Sequence, residues 1–111
     1  MLIVFCKGAT IPPHRCAHGS ESFHVVEGES RVIIFDDNGA VERTFDMGAV
    51  ESGKTFMSRN SSSPWYSYVP LTEYLVVHEI LCGPFDNANT EFPEWTPEES
   101  ELGSFLKKSA G

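Results

Sequence analysis

The sequence has few cysteines and few basic residues. Among 111 residues only three are cysteines, at positions 6, 16 and 82, and their odd number and irregular spacing exclude a disulfide framework. Lysine and arginine total 8 against 16 acidic residues, so the formal net charge is −8. Because nucleic acids and anionic membrane surfaces both require a positive face, we expect neither as a partner.

Long hydrophobic runs are also missing. The opening MLIVFC is apolar but much too short for a signal sequence or a membrane span. We therefore expect a protein of the reducing cytoplasm. The length suits one domain over residues 1–111, and 41% hydrophobic residues indicate a globular chain. We expect its core over about residues 8–83, followed by a C-terminal extension over residues 84–111.

Apolar and polar residues alternate with period two through most of the chain. This pattern predicts short strands at residues 21–26, 30–35, 40–47, 55–58, 65–69 and 73–80. Asn38-Gly39 is typical of a tight turn between two strands, because glycine supplies the positive φ that such turns need. The fold class expected from this pattern is all-β, with the strands arranged as an antiparallel sandwich or barrel.

The C-terminal segment instead has helical features. Thr96 and Glu99 have the spacing of a capping box, with Pro97 between them at a favourable first position. An apolar stripe at helical spacing follows, formed by Leu102, Phe105 and Leu106. We expect a short helix that docks on the β-structure.

Metal-ligating residue types cluster near the start of the chain. Gly8, His14, Cys16, Glu21 and Gly28 follow the spacing G-x5-H-x-C-x4-E-x6-G. This resembles the first motif of cupins, G-x5-H-x-H-x4-E-x6-G, with Cys16 in place of the second histidine. Residues two apart on a strand share a face, so His14 and Cys16 are expected to point to the same side.

A wider resemblance covers about residues 8–100. GATIPPHRC, ESFHVVEG, VIIFDDNG, EILCGPF and EFPEWTPEE together resemble the WbuC-type cupin-fold metalloproteins, which are small bacterial proteins often associated with O-antigen or polysaccharide gene clusters. The resemblance implies a cupin-type antiparallel β-barrel or jelly roll with a short C-terminal helix. It also implies a divalent transition metal at the barrel mouth, held by three histidines and one glutamate.

Two of the four ligands implied by the resemblance are replaced. Cys16 stands for one histidine and Tyr66 for another, which leaves His14 and Glu21. A cysteine thiolate suits zinc or iron, whereas a tyrosine must first lose a proton of pKa about 10. The candidate metal is zinc, iron, nickel or manganese, with His18 as a possible substitute ligand. Further pocket residues are expected at four positions: Phe23, Arg59, Trp65 and His78.

Three functional hypotheses remain open at this point, and they leave open whether the protein is an enzyme. The first is a metal-binding pocket for a small polar, sugar-like molecule. The second is a metal-free sugar-nucleotide isomerase or epimerase, in which His14 and Tyr66 act as base and acid and Arg15 and Arg59 bind the diphosphate. The third is a non-catalytic binding or oligomerisation module. By analogy with other cupin-like barrels, we expect a homodimer.

Overall fold

A computed structural model describes residues 1–17, 20–61, 64–81 and 90–111. The described part consists of short strands, one 3-10 turn (Val50–Ser52) and one helix. The strands are β1 (Leu2–Cys6), β2 (Arg15–Cys16), β3 (Glu21–Glu27), β4 (Glu29–Phe35), β5 (Val41–Gly48), β6 (Met57–Asn60), β7 (Trp65–Pro70), β8 (Tyr74–Leu81) and β9 (Thr90–Glu91), and the helix is α1 (Glu99–Ala110). The six strands predicted from the sequence are all present, each within two residues of its expected bounds.

Two antiparallel sheets make up the body of the fold. One has four strands in the order β1-β8-β3-β6, and the other has three in the order β5-β4-β7. A small third sheet pairs β2 with β9. The expectation of an all-β, antiparallel fold with a short C-terminal helix is confirmed.

The interior between the two larger sheets holds the main core. Alternate residues of the strands point inward, as the period-two pattern predicts. The buried cluster contains Phe23, Val25, Val32, Ile34, Met47, Tyr66, Tyr68, Leu75 and Val77. Each large apolar side chain that leaves water here stabilises the fold by about 1.5–3 kcal/mol.

The N-terminal segment extends the core ahead of its expected start near residue 8. β1 pairs with β8 as the outer strand of the four-stranded sheet. Ile3 and Phe5 pack against the core, while Leu2 and Val4 face solvent. The run MLIVFC was too uniformly apolar to show this alternation, so the sequence did not reveal the strand.

Helix α1 packs on the outer side of the three-stranded sheet. Leu102 and Leu106 are buried with Ile33 and Phe35 of β4, which confirms the apolar stripe. The predicted capping box is wrong: the helix begins at Glu99, and no side chain caps it. The Thr96 hydroxyl donates instead to the carbonyl of Pro93 at 2.5 Å. In the described part of the chain, no helix has both the length and the apolar character needed to cross a membrane.

Gly28 of the motif forms the tight connection between β3 and β4. Its φ is +87°, a conformation that other residues adopt only with strain. A Cβ at this position would also collide with the backbone carbonyl of Tyr74 and the hydroxyl of Thr72. The close approach of two chain segments therefore requires glycine, and it fixes where β3 ends.

Candidate functional site

The site begins where the segment before β2 meets the start of β7. His14 and Tyr66 form an isolated antiparallel bridge, in which each backbone N–H donates to the other residue's carbonyl at 3.0 Å. The two side-chain rings lie on the same side of this bridge, with centroids 4.5 Å apart. The first motif is thereby attached to the three-stranded sheet at one defined register.

A buried hydrogen bond connects the two larger sheets at this point. The Tyr66 hydroxyl donates to Oε1 of Glu21, the first residue of β3, at 2.5 Å. Only 2% of Tyr66 and 7% of Glu21 are exposed. Burial raises the pKa of Tyr66 well above its ordinary range, and the neighbouring Glu21 carboxylate raises it further. The hydroxyl therefore keeps its proton and acts as a hydrogen-bond donor.

A second tyrosine–carboxylate pair lies beside the first. The Tyr68 hydroxyl is 3.3 Å from Oε1 of Glu79, and the Tyr68 ring stacks at 6.4 Å from the ring of Tyr66. Burial raises the pKa of Glu79, and the charge of Glu21 raises it further. The sequence analysis did not identify this pair. One sequence feature could have indicated it, because Glu79 lies on the same face of β8 as the buried Leu75 and Val77.

His14 is held in one tautomer. Its Nδ1 lies 2.9 Å from the carbonyl oxygen of Pro12. A carbonyl can only accept a hydrogen bond, so Nδ1 carries a proton. In the neutral imidazole the lone pair is then on Nε2, which can take a proton or bind a metal.

The described residues do not complete the metal site that the resemblance implies. No three His, Cys, Asp or Glu side chains in residues 1–17, 20–61, 64–81 and 90–111 are placed to hold an ion together. Tyr66 keeps its proton and is a poor ligand. Cys16 is half-buried on β2, opposite Thr90 of β9, and His18 lies outside the described residues. His14 and Glu21 are thus the two proposed ligands that the geometry brings to the same place.

Trp65 points away from the barrel interior and lines a separate open cavity. Its side chain points to the opposite side of β7 from Tyr66 and packs with Ile33 and Phe35 under the helix. Its Nε1 donates to Asp37 at 3.2 Å, and the Arg15 guanidinium lies 3.9 Å above its ring. Strand parity explains why Trp65 and Tyr66 differ, because neighbouring residues on a strand point to opposite faces.

Two more predicted pocket residues lie on the outer face of the four-stranded sheet. His78 pairs with His24 across β8 and β3 and is exposed. Arg59 is exposed on β6, where it donates to the Ser20 hydroxyl at 2.9 Å. Phe23, in contrast, is buried in the interior, 4.6 Å from the ring of Tyr68. His78 thus faces solvent on the outer side, Arg59 lines a separate cavity of about 370 Å³ with Ile34 and Arg43, and Phe23 lies on the interior side.

Arg15 and Arg59 do not meet at the site. Arg15 is paired with Glu91 at 2.8 Å on the side of the fold that faces the helix. There it lines an open cavity of about 970 Å³ that also includes Trp65 and Asp37. Arg59 lies on β6 of the four-stranded sheet. Arg15 and Arg59 therefore do not form the diphosphate clamp considered from the sequence.

Sequence comparisons match part of the chain. A family model described as a domain of unknown function, DUF6016, matches residues 1–47. No curated protein sequence matches significantly. The matched segment includes His14, Cys16 and Glu21, but it ends before Tyr66.

Solved structures match over a longer stretch. A structural-genomics protein of Shewanella oneidensis has a TM-score of 0.68 at 12% identity, over 98% of this chain and 68% of its own. The dTDP-4-dehydrorhamnose 3,5-epimerase of Elizabethkingia anophelis has a TM-score of 0.61 at 11% identity, over 81% of this chain and 52% of its own. Oxalate decarboxylase of Bacillus subtilis, described with Mn(II) centres, has a TM-score of 0.57 at 22% identity over 70% of this chain.

These likenesses concern the fold. The chain spans 19% of the length of the decarboxylase, so it corresponds to one part of that larger protein. At identities of 11–22%, the shared property is the arrangement of strands rather than the chemistry. The chain has the cupin-type jelly-roll fold that the sequence predicted.

Proposed function

We propose that this cupin-fold protein binds a small, sugar-like carbonyl compound at the barrel mouth and transfers a proton at the carbon next to the carbonyl, without a metal. The observation that carries the proposal is the meeting of His14, Tyr66 and Glu21. The His14 ring packs 4.5 Å from the Tyr66 ring, and Tyr66 is hydrogen-bonded to Glu21 at 2.5 Å. A base, a hydroxyl donor and a carboxylate at one place are the parts that acid–base catalysis uses.

Each residue has a distinct part in this proposal. His14 takes the proton through Nε2, because its Nδ1–H is directed to the Pro12 carbonyl. The Tyr66 hydroxyl has one proton, so on substrate binding this hydrogen bond turns from Glu21 to the substrate oxygen, where negative charge develops. Glu21 holds that hydroxyl in place before substrate arrives. Tyr66 stabilises charge rather than giving up its proton fully, since its pKa is raised.

The charges favour an uncharged sugar over a sugar nucleotide. The two arginines that were candidates for a diphosphate clamp have other partners: Arg15 pairs with Glu91, and Arg59 donates a hydrogen bond to Ser20. The chain is also strongly acidic, with a formal net charge of −8. Two structural neighbours named as sugar epimerases support the sugar-like class of substrate. We also propose that the protein acts in polysaccharide metabolism, because it resembles the WbuC-type proteins.

Proton exchange with solvent tests the proposal. The protein is incubated in D₂O with 4-keto-6-deoxyhexoses and simple ketoses, and NMR follows deuterium entering at the carbon next to the carbonyl. We expect exchange with the wild type and a loss of about 10²–10⁴-fold in His14→Asn, as for removal of a general base. Exchange at wild-type rates in both His14→Asn and Tyr66→Phe would overturn the assignment of roles.

A metal-binding pocket is the second candidate. It is favoured by the His14 tautomer, because a histidine ligand commonly directs its other N–H to a carbonyl. The site would need His14, Glu21 and a further donor such as Cys16 or His18. Elemental analysis of protein purified without added metal tests it, together with thermal shifts on adding zinc, iron, nickel or manganese. Neither metal nor exchange would favour the third hypothesis, a non-catalytic binding module.

A further inference from the structure

Two arginines of this acidic chain have no carboxylate partner. Arg15 and Arg31 each form a salt bridge, at 2.8 and 2.7 Å. Among the described residues, no carboxylate forms a salt bridge with Arg43 or Arg59. Because the chain carries a formal net charge of −8, two guanidinium groups without a carboxylate partner are free to bind an anion from solution.

Both of these arginines line one cavity of about 370 Å³, which we call the arginine cavity. Arg43 comes from β5 of the three-stranded sheet and Arg59 from β6 of the four-stranded sheet, and each strand is the last of its sheet. Asn60 and Ser61 add an amide and a hydroxyl, which can both donate hydrogen bonds. Of the described residues that line this cavity, only Glu42 carries a carboxylate, so two positive charges stand against one negative charge.

Local structure directs the two guanidinium groups to the arginine cavity. The register of β5 against β4 shifts by one residue at Glu42, and such a bulge commonly changes the direction of a side chain beside a functional site. The Arg43 guanidinium lies 5.0 Å from the centre of the Phe45 ring, which attracts it. Arg59 donates to the Ser20 hydroxyl at 2.9 Å, and this neutral partner leaves its charge uncompensated.

The arginine cavity is separate from the proton-transfer site that we propose at His14 and Tyr66. Ile34 of β4 lines this cavity and pairs with Arg43 on one side and with Tyr66 on the other. Two strand spacings of about 4.8 Å therefore place the backbones of Arg43 and Tyr66 about 10 Å apart. A molecule in the arginine cavity is a second ligand, additional to the sugar-like compound at His14.

We propose that the arginine cavity binds the phosphate group of a small phosphorylated molecule between Arg43 and Arg59. A guanidinium group donates two parallel hydrogen bonds to phosphate oxygens, and two arginines from different sheets can hold one phosphate from two directions. A phosphate ester carries a charge of about −1.5 to −2, which compensates two guanidinium groups, whereas a carboxylate compensates only one. This proposal does not depend on the proposed function.

The size of the cavity indicates how large the ligand is. Small-molecule sites span roughly 300–1,000 Å³, and 370 Å³ is at the lower end of that range. The phosphate takes the part beside the two arginines. The remaining space, next to Ile34 and Pro64, suits an uncharged group of a few heavy atoms.

An NMR titration of the full chain tests the proposal. The Nε–H signals of the arginine side chains are followed at low salt, where charge interactions are least screened, with glycerol 3-phosphate, inorganic phosphate and glycerol as probes. We expect glycerol 3-phosphate to shift the signals of Arg43 and Arg59 and to bind about 3-fold or more tighter than inorganic phosphate, because it fills more of the cavity. Glycerol should shift neither signal. Equal affinities for glycerol 3-phosphate and inorganic phosphate would overturn the assignment to a phosphorylated molecule.

Four variants complete the test, with circular dichroism verifying the fold. Arg43→Gln and Arg59→Gln should each weaken glycerol 3-phosphate binding about 10-fold or more, because each loses hydrogen bonds to a charged group. Arg43→Lys should bind between Arg43→Gln and the wild type, since it keeps the charge but not the paired donors. Lys108→Gln is the matched control, because it removes one exposed positive charge on α1, and it should bind like the wild type. His14→Asn should also bind like the wild type.

Three results would overturn the proposal. The first is the absence of shifts of the Arg43 and Arg59 signals at about 10 mM glycerol 3-phosphate. The second is an equal loss in Lys108→Gln, which would show that net charge alone attracts the phosphate. The third is a loss in His14→Asn, which would place the phosphate at the proton-transfer site instead. Failure of the proton-transfer proposal alone leaves the expected phosphate binding unchanged.

Discussion

Replacing Tyr66 by phenylalanine removes a single oxygen atom from the centre of the site. That oxygen donates to Glu21 at 2.5 Å between residues that are 2% and 7% exposed. A hydrogen bond to a charged acceptor contributes about 1.5–3 kcal/mol, and the phenylalanine leaves the Glu21 carboxylate buried without this donor. We expect the free energy of unfolding to fall by about 2–3 kcal/mol, which corresponds to roughly 8–12 °C in Tm for a domain of this size.

Urea unfolding, followed by circular dichroism, measures this loss. Tyr74→Phe is the matched control, because Tyr74 is 54% exposed and its substitution should change stability by less than about 0.5 kcal/mol. Glu21→Gln should cost less in the Tyr66→Phe background than in the wild type, with a coupling of about 1–2 kcal/mol. If the free energy of unfolding of Tyr66→Phe lies within about 0.5 kcal/mol of the wild-type value, the hydrogen bond does not tie the two sheets together.

Three other predictions concern the glycine turn after β3, the buried Glu79 and helix α1. Gly28→Ala should destabilise by more than about 3 kcal/mol, because the added Cβ meets the Tyr74 carbonyl, whereas Gly8→Ala meets nothing within 4 Å and should cost only about 1–2 kcal/mol of backbone strain. Because folding raises the pKa of the Glu79 carboxyl, its contribution to the stability of the fold is fully present below the pKa of the unfolded chain. That contribution is lost as the pH rises through the pKa of the folded protein. Wild-type Tm should therefore fall relative to that of Glu79→Gln as the pH rises above about 4.3, and parallel curves would contradict the assigned burial. Leu106→Ala should cost about 2–4 kcal/mol in urea unfolding if the helix is an integral part of the fold, and a loss under 1 kcal/mol would show that it is not.

Strand parity and motif spacing account for most of what the sequence predicted correctly. The alternation of Glu21, Phe23 and Val25 placed these residues on one face, and all three are buried. The motif spacing grouped His14 with Glu21, and both side chains contact Tyr66. These features are local, so a single sequence contains them.

Long-range register accounts for what the sequence missed. Trp65 and Tyr66 are neighbours in sequence, and only the pairing of β7 with β4 determines which of them points inward. The position of Glu79 on β8 indicates that it faces the interior, but its partner Tyr68 comes from another sheet and cannot be identified from local pattern. All residues of β1 are apolar or nearly so, and only its pairing with β8 determines which of them face the core. Pairing between distant segments is not encoded in local pattern.

In the proposed function His14 takes the proton from the substrate, Tyr66 and Glu21 assist it, and no metal takes part. Deuterium exchange, measured by NMR on protein that has been dialysed against a chelator and then freed of the chelator, shows whether the proton transfer needs a metal. We expect the exchange rate with a carbonyl sugar to be the same before and after dialysis, and to be lost in His14→Asn. An exchange rate that disappears on dialysis and returns with manganese or zinc would show that a metal takes part in the proton transfer.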